Sequence, residues 1–383
     1  VIVLRLLVFA VPLLILLLNW LWPLPLPLAG KLVAAVLIVV VAFYHQWCRL
    51  SSGSVLVAEM PRPLIILFNW AFGTLLFLAL LQLGLDLAAA VRALVAGHWV
   101  AVGTAPRVVI AVVAGILAAW GVASAVRVPP IRDVTVTLPG LDPALDGYYL
   151  VQLSDLHVTR LFPVRWVAQV VARVNAARPD MIVVTGDFID GSVAMRRQDV
   201  AGLAALQAPD GVFGVPGNHE YGFDYGAWMA ALENLGIQML LNRHVVVARP
   251  TPEPARLVIA GVTDRAAAHY GEAPHDLEAA LAGCPPHVPI ILLDHQPGDA
   301  RKAARMGVAL QLSGHTHGGM LYGLDRLVAR GNDGFVSGLY RVSNGRGGSM
   351  ALYVSNGTGL WPGFALRLGI PPEITRFHLK AAR

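Results

Sequence analysis

Cysteine is nearly absent from this 383-residue chain, which holds only Cys48 and Cys284. The first falls in an apolar run and the second far downstream in a polar region, so no pairing is expected and the fold does not depend on oxidation, in keeping with the cytoplasm. Charge is scarce too: 14% of residues are charged, against 56% hydrophobic, where a soluble domain usually carries about a quarter charged. The scarcity is uneven. Residues 1 to 127 hold seven basic and two acidic side chains, which leaves 22 of each sign for the rest, so the whole net charge of +5 belongs to the apolar half. That balance excludes a basic surface for nucleic acid on the polar half. Anionic lipid headgroups are the expected counter-charge of the other.

Long uncharged runs are what the first 127 residues have instead. Residues 6–29, 32–48, 64–85 and 108–126 each approach the roughly 20 residues that cross a bilayer as a helix, and Trp20, Trp22, Trp47, Trp70 and Trp120 stand near their ends. One such run reads equally as a core helix or a signal peptide, but four in succession predict a transmembrane region of about four helices, of which 32–48 is the shortest. Residues 87–105, with Arg92, His98 and Trp99, are read as lying along the interface. Arg5, Arg49, Arg62, Arg127 and Arg132 flank the spans on one side and Lys31, Arg92 and Arg107 on the other, which places the C-terminal region in the cytoplasm. The chain opens on Val1, consistent with a missing or alternative start.

Val128-Pro129-Pro130 ends the last run, and a second domain, 128–383, begins there. Short apolar runs bounded by turn residues predict strands at 132–138, 148–153, 181–185, 211–215, 256–261, 290–293, 310–312, 351–355 and 374–378. Helical spacing marks 164–177, 225–235 and 299–306. This is an α/β layered pattern without internal repeats, and the glycine-rich 331–348 reads as loops or a hairpin.

Five of those strands end in polar clusters. The run YLVQL leads into Ser154-Asp155-Leu156-His157, MIVVT into Gly186-Asp187, VFGVP into Gly217-Asn218-His219-Glu220, PIILL into Asp294-His295, and VALQL into Ser313-Gly314-His315-Thr316-His317. Singly, a Gly-Asp is a turn and a lone His is a structural residue. Together they supply only metal-competent groups, each at the carboxyl end of a strand, where ligands gather in layered α/β folds. Asp155 with His157, and His315 with His317, stand two apart, a spacing that in extended backbone points both side chains to one face. The surrounding glycines allow positive φ and close approach. Imidazole mixed with carboxylate suits manganese, with iron or zinc as alternatives, better than magnesium or calcium. Asp187 is the candidate bridge between two cations, whose four charges exceed those of Asp155 and Asp187 by two, enough to attract a phosphoryl group and acidify a bound water.

This series resembles the calcineurin-like metallophosphoesterases over residues 148–380, and the membrane-associated bacterial branch in particular, with its N-terminal spans, Gly-His-Thr-His-Gly-Gly and Pro371-Pro372-Glu373-Ile374. The resemblance implies a four-layer αββα sandwich and a di-metal centre. It implies that Asp155, His157, Asp187 and His317 hold one ion, and Asp187, Asn218, His295 and His315 the other. It further implies a catalytic role for His219 at the leaving-group oxygen, with Glu220 as its supporting partner. Met320 stands where many relatives carry glutamine, a departure that touches no ligand.

The expected activity is hydrolysis of a phosphoester or pyrophosphate by a metal-bridging hydroxide, on a lipid-linked or nucleotide-sugar-lipid substrate; relatives of the fold include UDP-diacylglucosamine pyrophosphatases. The alternatives are a tethered phosphodiesterase for soluble nucleotides and a non-catalytic membrane scaffold or sensor. Arg160, Tyr221 and Arg265 are weaker candidates for substrate contact, and Trp361 reads as a bilayer contact or a packed loop anchor. His45, His98, His244, His269, His275, His287 and His378 lie outside the series and read as structural or exposed.

Overall fold

The computed structural model describes residues 10–99, 101–249 and 255–382; Arg5 and the first four residues of the expected 6–29 span lie outside them. The chain divides into two compact units. One holds the described residues up to Ala125 together with Pro362–Leu368, and the other runs from Val126 to Trp361 and resumes at Gly369.

The first unit is helical. Helix α1 (Ala10–Leu21) is followed by α2 (Leu28–Ala42) and α3 (Tyr44–Ser52), then by α4 (Arg62–Ala96) and α5 (Thr104–Val126). Only α4 and α5 are singly long and apolar enough to cross a bilayer, while α2 and α3 together qualify as a pair bent by 52°. The described residues thus hold two candidate spans, or three with the bent pair, where four were expected. Two physical reasons account for the difference. Pro23, Pro25 and Pro27 interrupt the first run, since proline cannot continue a helix. The polar sequence YHQWCRLSS diverts the second into α3. Residues 87–96 continue α4, which reaches 35 residues, about 53 Å of helix.

Small residues let α4 and α5 approach each other closely. A Cβ on Gly73 would lie 3.4 Å from that of Ala118, and Ala114, Ala118, Gly121 and Ala125 make up much of the buried face of α5. The segment Pro362–Leu368 packs into the same unit. Asn69, buried on α4, donates to the Pro362 carbonyl at 2.9 Å and accepts from the Ala365 N–H at 2.6 Å. Tyr44 Oη donates to the same carbonyl at 2.8 Å. Leu366 fills the notch left by Gly73 and Gly121: a Cβ on either would fall within 3 Å of it.

The second unit is built on two six-stranded sheets. In chain order the strands are β1 (Ile131–Leu138), β2 (Tyr148–Leu153), β3 (Met181–Thr185), β4 (Val212–Val215), β5 (Gln238–Met239), β6 (Arg243–Arg249), β7 (Ala255–Gly261), β8 (Ile290–Leu293), β9 (Leu310–Ser313), β10 (Gly338–Ser343), β11 (Ser349–Val354) and β12 (Ile374–Ala381). One sheet runs β1-β12-β2-β3-β4-β5 and the other β10-β11-β9-β8-β7-β6. Alternation along the strands makes the layers. Met181 and Val183 of β3 join Ile291, Leu293, Leu310 and Leu312 in the core between the sheets, while Ile182 and Val184 are buried on the opposite face.

Helices cover the outer faces. Helix α6 (Val164–Ala176) buries Val167, Val170, Val171 and Val174 at helical spacing, with α7 (Val193–Val200) and α8 (Tyr225–Asn234) beside it in the chain. On the second sheet, α9 (Leu277–Leu281) and α10 (Ala300–Arg305) pack Leu277, Ala280, Ala300, Ala303 and Ala304 against Ala260, Leu292 and Leu352. The expected αββα sandwich is the observed fold, and 331–348 contains the exit of α11 (Asp325–Arg330), strand β10 and the turn that leads into β11.

Register delivers the polar clusters to one place. Strands β2, β3 and β4 are parallel neighbours with Leu153 opposite Val184 and Thr185 opposite Val215. Parallel β8 and β9 pair Leu293 with Leu312. The five loops therefore leave the two sheets at matched heights.

Candidate metal centre

The seven expected ligands meet at this edge. His157 Nε2 lies 3.2 Å from His317 Nε2, and His317 Nε2 lies 3.4 Å from Asp155 Oδ1. On the other side His295 Nε2 stands 3.3 Å from Asp187 Oδ2 and 3.2 Å from Asn218 Oδ1, and His315 Nδ1 lies 2.9 Å from the same Asn218 oxygen. Asp187 Oδ2 joins the two groups, being also 3.7 Å from His157 Nε2.

The donor chemistry of these atoms fits cations. His157 Nδ1 donates to Asp190 Oδ2 at 3.0 Å, and His295 Nδ1 donates to the Thr185 carbonyl at 2.8 Å, so in its neutral form each presents an Nε2 lone pair to the centre. Asp155 Oδ1, Asp187 Oδ2 and Asn218 Oδ1 are acceptors as well. At most one proton can lie between His157, His317 and Asp155, whereas a divalent cation satisfies all three lone pairs. Asp155, His157, Asp187, His295 and His317 are almost wholly buried, and buried acceptors crowded this closely are costly without a positive partner.

Backbone strain sets the geometry. Asp155, His157, Asp187, His315 and His317 all have positive φ, between 44° and 69°. The two-residue spacing therefore does not act through extended backbone, as the sequence suggested. Each of these five sits in a left-handed kink that turns the chain sharply past its strand, a conformation that persists only where surrounding bonds over-determine it. Those bonds are present. His157 N–H donates to the Asp187 carbonyl and Asp155 N–H to that of Gly186, both at 3.0 Å, and the His315 N–H reaches Asp155 Oδ1 at 3.1 Å. Glycine serves here by close approach: a Cβ on Gly314 would lie 1.9 Å from Ser154 Oγ and 2.3 Å from Asp155 Oδ2.

The charges of the centre are tightly linked. Burial pushes the Asp155 carboxyl above its usual range. Burial acts the same way on Asp187, but the adjacent His295 and His219 outweigh it and hold that carboxyl well below. Burial, with the cationic tendency of His295, lowers His315 to about 3 and keeps it a neutral imidazole at ordinary pH.

A profile of the calcineurin-like phosphoesterase family matches residues 148–319, from β2 to the loop beyond β9. The metallophosphoesterase YkuE of Bacillus subtilis is 30% identical over 243 residues, 62% of this chain and 80% of the relative. One from Aquifex aeolicus is 30% identical over 233 residues, 60% of this chain and 84% of the relative. The chain belongs to the calcineurin-like metallophosphoesterases. A Danio rerio "Transmembrane protein with metallophosphoesterase domain" is 36% identical over 289 residues, 74% of this metallophosphoesterase. The chain spans 65% of that relative's length.

Two further residues of this metallophosphoesterase support the centre: Asp190, which the sequence reading did not single out, and Trp361, which it read as a bilayer contact or a loop anchor. Asp190 is fully buried and receives Nδ1 of both His157 and His219, the second contact being very short. Its signal was a second Asp three positions past Asp187 in Gly186-Asp187-Phe188-Ile189-Asp190. Trp361 sets its ring across those of His317 and His157, with centroids 4.8 Å and 6.0 Å away.

The remaining expected residues are placed as follows. His219 Nε2 lies 3.9 Å from Asp187 Oδ2. Burial lowers its proton affinity, but Asp187 and Asp190 reverse this and raise its pKa to about 10. Glu220 is buried and accepts from the backbone N–H groups of Asp187, Phe188, Ile189 and Gly217, so its carboxylate staples two ligand loops and does not face the centre. Tyr221 is buried, stacked on Tyr225 with centroids 4.3 Å apart, and its hydroxyl accepts from the Asp264 N–H at 3.3 Å. Arg265 pairs with Asp299 at 2.9 Å, and Arg160 is exposed. Cys48 and Cys284 are both free thiols.

Proposed function

We propose that this chain is a membrane-embedded, two-cation hydrolase of phosphoester or pyrophosphate bonds. One ion would be held by Asp155, His157, Asp187 and His317, the other by Asp187, Asn218, His295 and His315. The observation that carries the reading is the crowding of lone pairs into two groups, Asp155 with His157 and His317, and Asn218 with His295 and His315, joined by Asp187 Oδ2. When bound, two divalent cations supply a water nucleophile at neutral pH and neutralise charge on the phosphoryl oxygens. Manganese suits the imidazole-rich set, with iron and zinc next.

The side chains of this unit do the rest. His219 is held at Nδ1 by Asp190 and turns Nε2 toward the centre. Its Nδ1 contact with Asp190 favours the imidazolium form and places Nε2 to donate to the departing oxygen. Trp361 walls one side of the site and excludes water from the ligand imidazoles.

The substrate proposed is a lipid-linked phosphate or pyrophosphate, and the catalytic unit is assigned to the cytoplasm. Support comes from the two long apolar helices carried by the same chain and from the excess of arginines flanking one side of the apolar runs. Purified full-length protein, stripped of metal and resupplied with manganese, is expected to cleave a generic aryl phosphodiester, and to turn over lipid-linked pyrophosphates faster than soluble nucleotides in detergent. No turnover with manganese, iron or zinc would overturn the hydrolase reading. Faster turnover of soluble nucleotides would overturn the lipid assignment alone.

A further inference from the structure

A third group of ligand-type side chains lies apart from the seven. His275, in the loop before α9, Asp294, the first residue after β8, and Asp299, just before α10, each bring one ligand atom within 4.8 Å of the others. His275 Nε2 stands 3.4 Å from Asp294 Oδ2 and 3.7 Å from Asp299 Oδ2. Asp294 is only 1% exposed, yet its Oδ1 has no hydrogen-bond partner among the described residues. A buried carboxylate oxygen without a partner is rare, because its desolvation goes uncompensated. Arg265 offsets one of the two carboxylates, with Nη2 2.9 Å from Asp299 Oδ1 and Nε 3.2 Å from Oδ2. With His275 neutral, the cluster retains one negative charge.

We propose that His275, Asp294 and Asp299 form a third divalent-cation site, distinct from the two-ion centre, that takes a borderline cation such as zinc through one imidazole nitrogen and two carboxylates. Zinc accepts that donor set with an open position for water. Bidentate coordination by Asp294 would also satisfy its orphaned Oδ1. The ion would clip together the loop before α9, the exit of β8 and the start of α10, the second of which leads directly into His295. Its role is to fix the backbone that carries a ligand of the centre, without entering the reaction.

The test is a count of bound metal. Full-length chain in detergent is stripped with chelator, dialysed against zinc and measured by mass spectrometry, beside His275→Gln and Asp299→Asn. Each variant is expected to hold one ion fewer than the unaltered chain while keeping the ions that depend on Asp187. Asp299→Asn is near-isosteric and partly exposed, so it serves if the histidine variant fails to fold. Adding His275→Gln to Asp187→Asn should remove one further ion. Equal counts in the unaltered chain and both variants, the result for a bare ion-pair cluster, overturn the site and leave the two-ion centre standing. An Asp187→Asn chain that loses no metal instead overturns the centre and leaves the third site standing.

Discussion

Asp190 Oδ2 lies 3.0 Å from His157 Nδ1, and the other oxygen of the same carboxylate holds Nδ1 of His219. One buried group thus orients a proposed ligand and the proposed proton donor. An amide at this position can accept from only one imidazole, so Asp190→Asn is expected to lower kcat by roughly 10–100-fold and to weaken one metal site by a similar factor. Steady-state rates with a manganese titration check both. Unchanged metal affinity with normal kcat would mean the carboxylate positions nothing.

His219→Ala should keep both ions of the centre, since the side chain is not among the seven, while kcat falls by about 10²–10⁴. The loss should shrink for an aryl phosphodiester with an acidic leaving group, which needs no proton. A uniform loss across leaving groups would remove the donor role.

The pH dependence of ion-free protein follows from the same histidine. Its folded pKa, raised to about 10 by Asp187 and Asp190 against burial, exceeds the usual 6.5, so the folded state binds the proton more tightly. The associated stability is full below pH 6.5 and is lost as pH rises toward 10. His295, held high by Asp187, acts with the same sign. Thermal midpoints in chelator should therefore fall across that window, and less steeply in His219→Gln.

Gly314→Ala forces a methyl against Ser154 Oγ and Asp155 Oδ2. Overpacking of this kind costs about 1–3 kcal/mol, and here the displaced atom belongs to a proposed ligand. Metal content should drop together with the melting temperature.

Much of the site could be read from the sequence because its logic is local: a strand, then a metal-competent cluster, five times over. Strands β2, β3 and β8 have the expected bounds because each is a short apolar run cut off by a turn or polar group. Strand β6 was missed for the opposite reason. It lies at a sheet edge with its residues half-buried or exposed, so RHVVVAR shows no clean buried face. The left-handed kinks at Asp155 and His157 were also illegible, since spacing does not report φ. Asp190 was overlooked because its partners are 29 and 33 residues away. Nor could composition show that Pro362–Leu368 packs into the helical unit, where one buried amide, Asn69, receives it.

Asn69→Ala would leave the Ala365 N–H without its acceptor, at about 1–3 kcal/mol for the buried donor. The helical unit should lose stability while metal content stays intact, a contrast that limited proteolysis and metal analysis on one sample can read.

The notch formed by Gly73 and Gly121 also imposes an order of assembly. A ribosome makes both glycines hundreds of residues before Leu366, so the nascent helices must wait, with a gap between them and Asn69 Oδ1 without the Ala365 N–H, until the stretch that fills it emerges. The helical unit, made before the strands of the second unit, is therefore among the last parts to be finished.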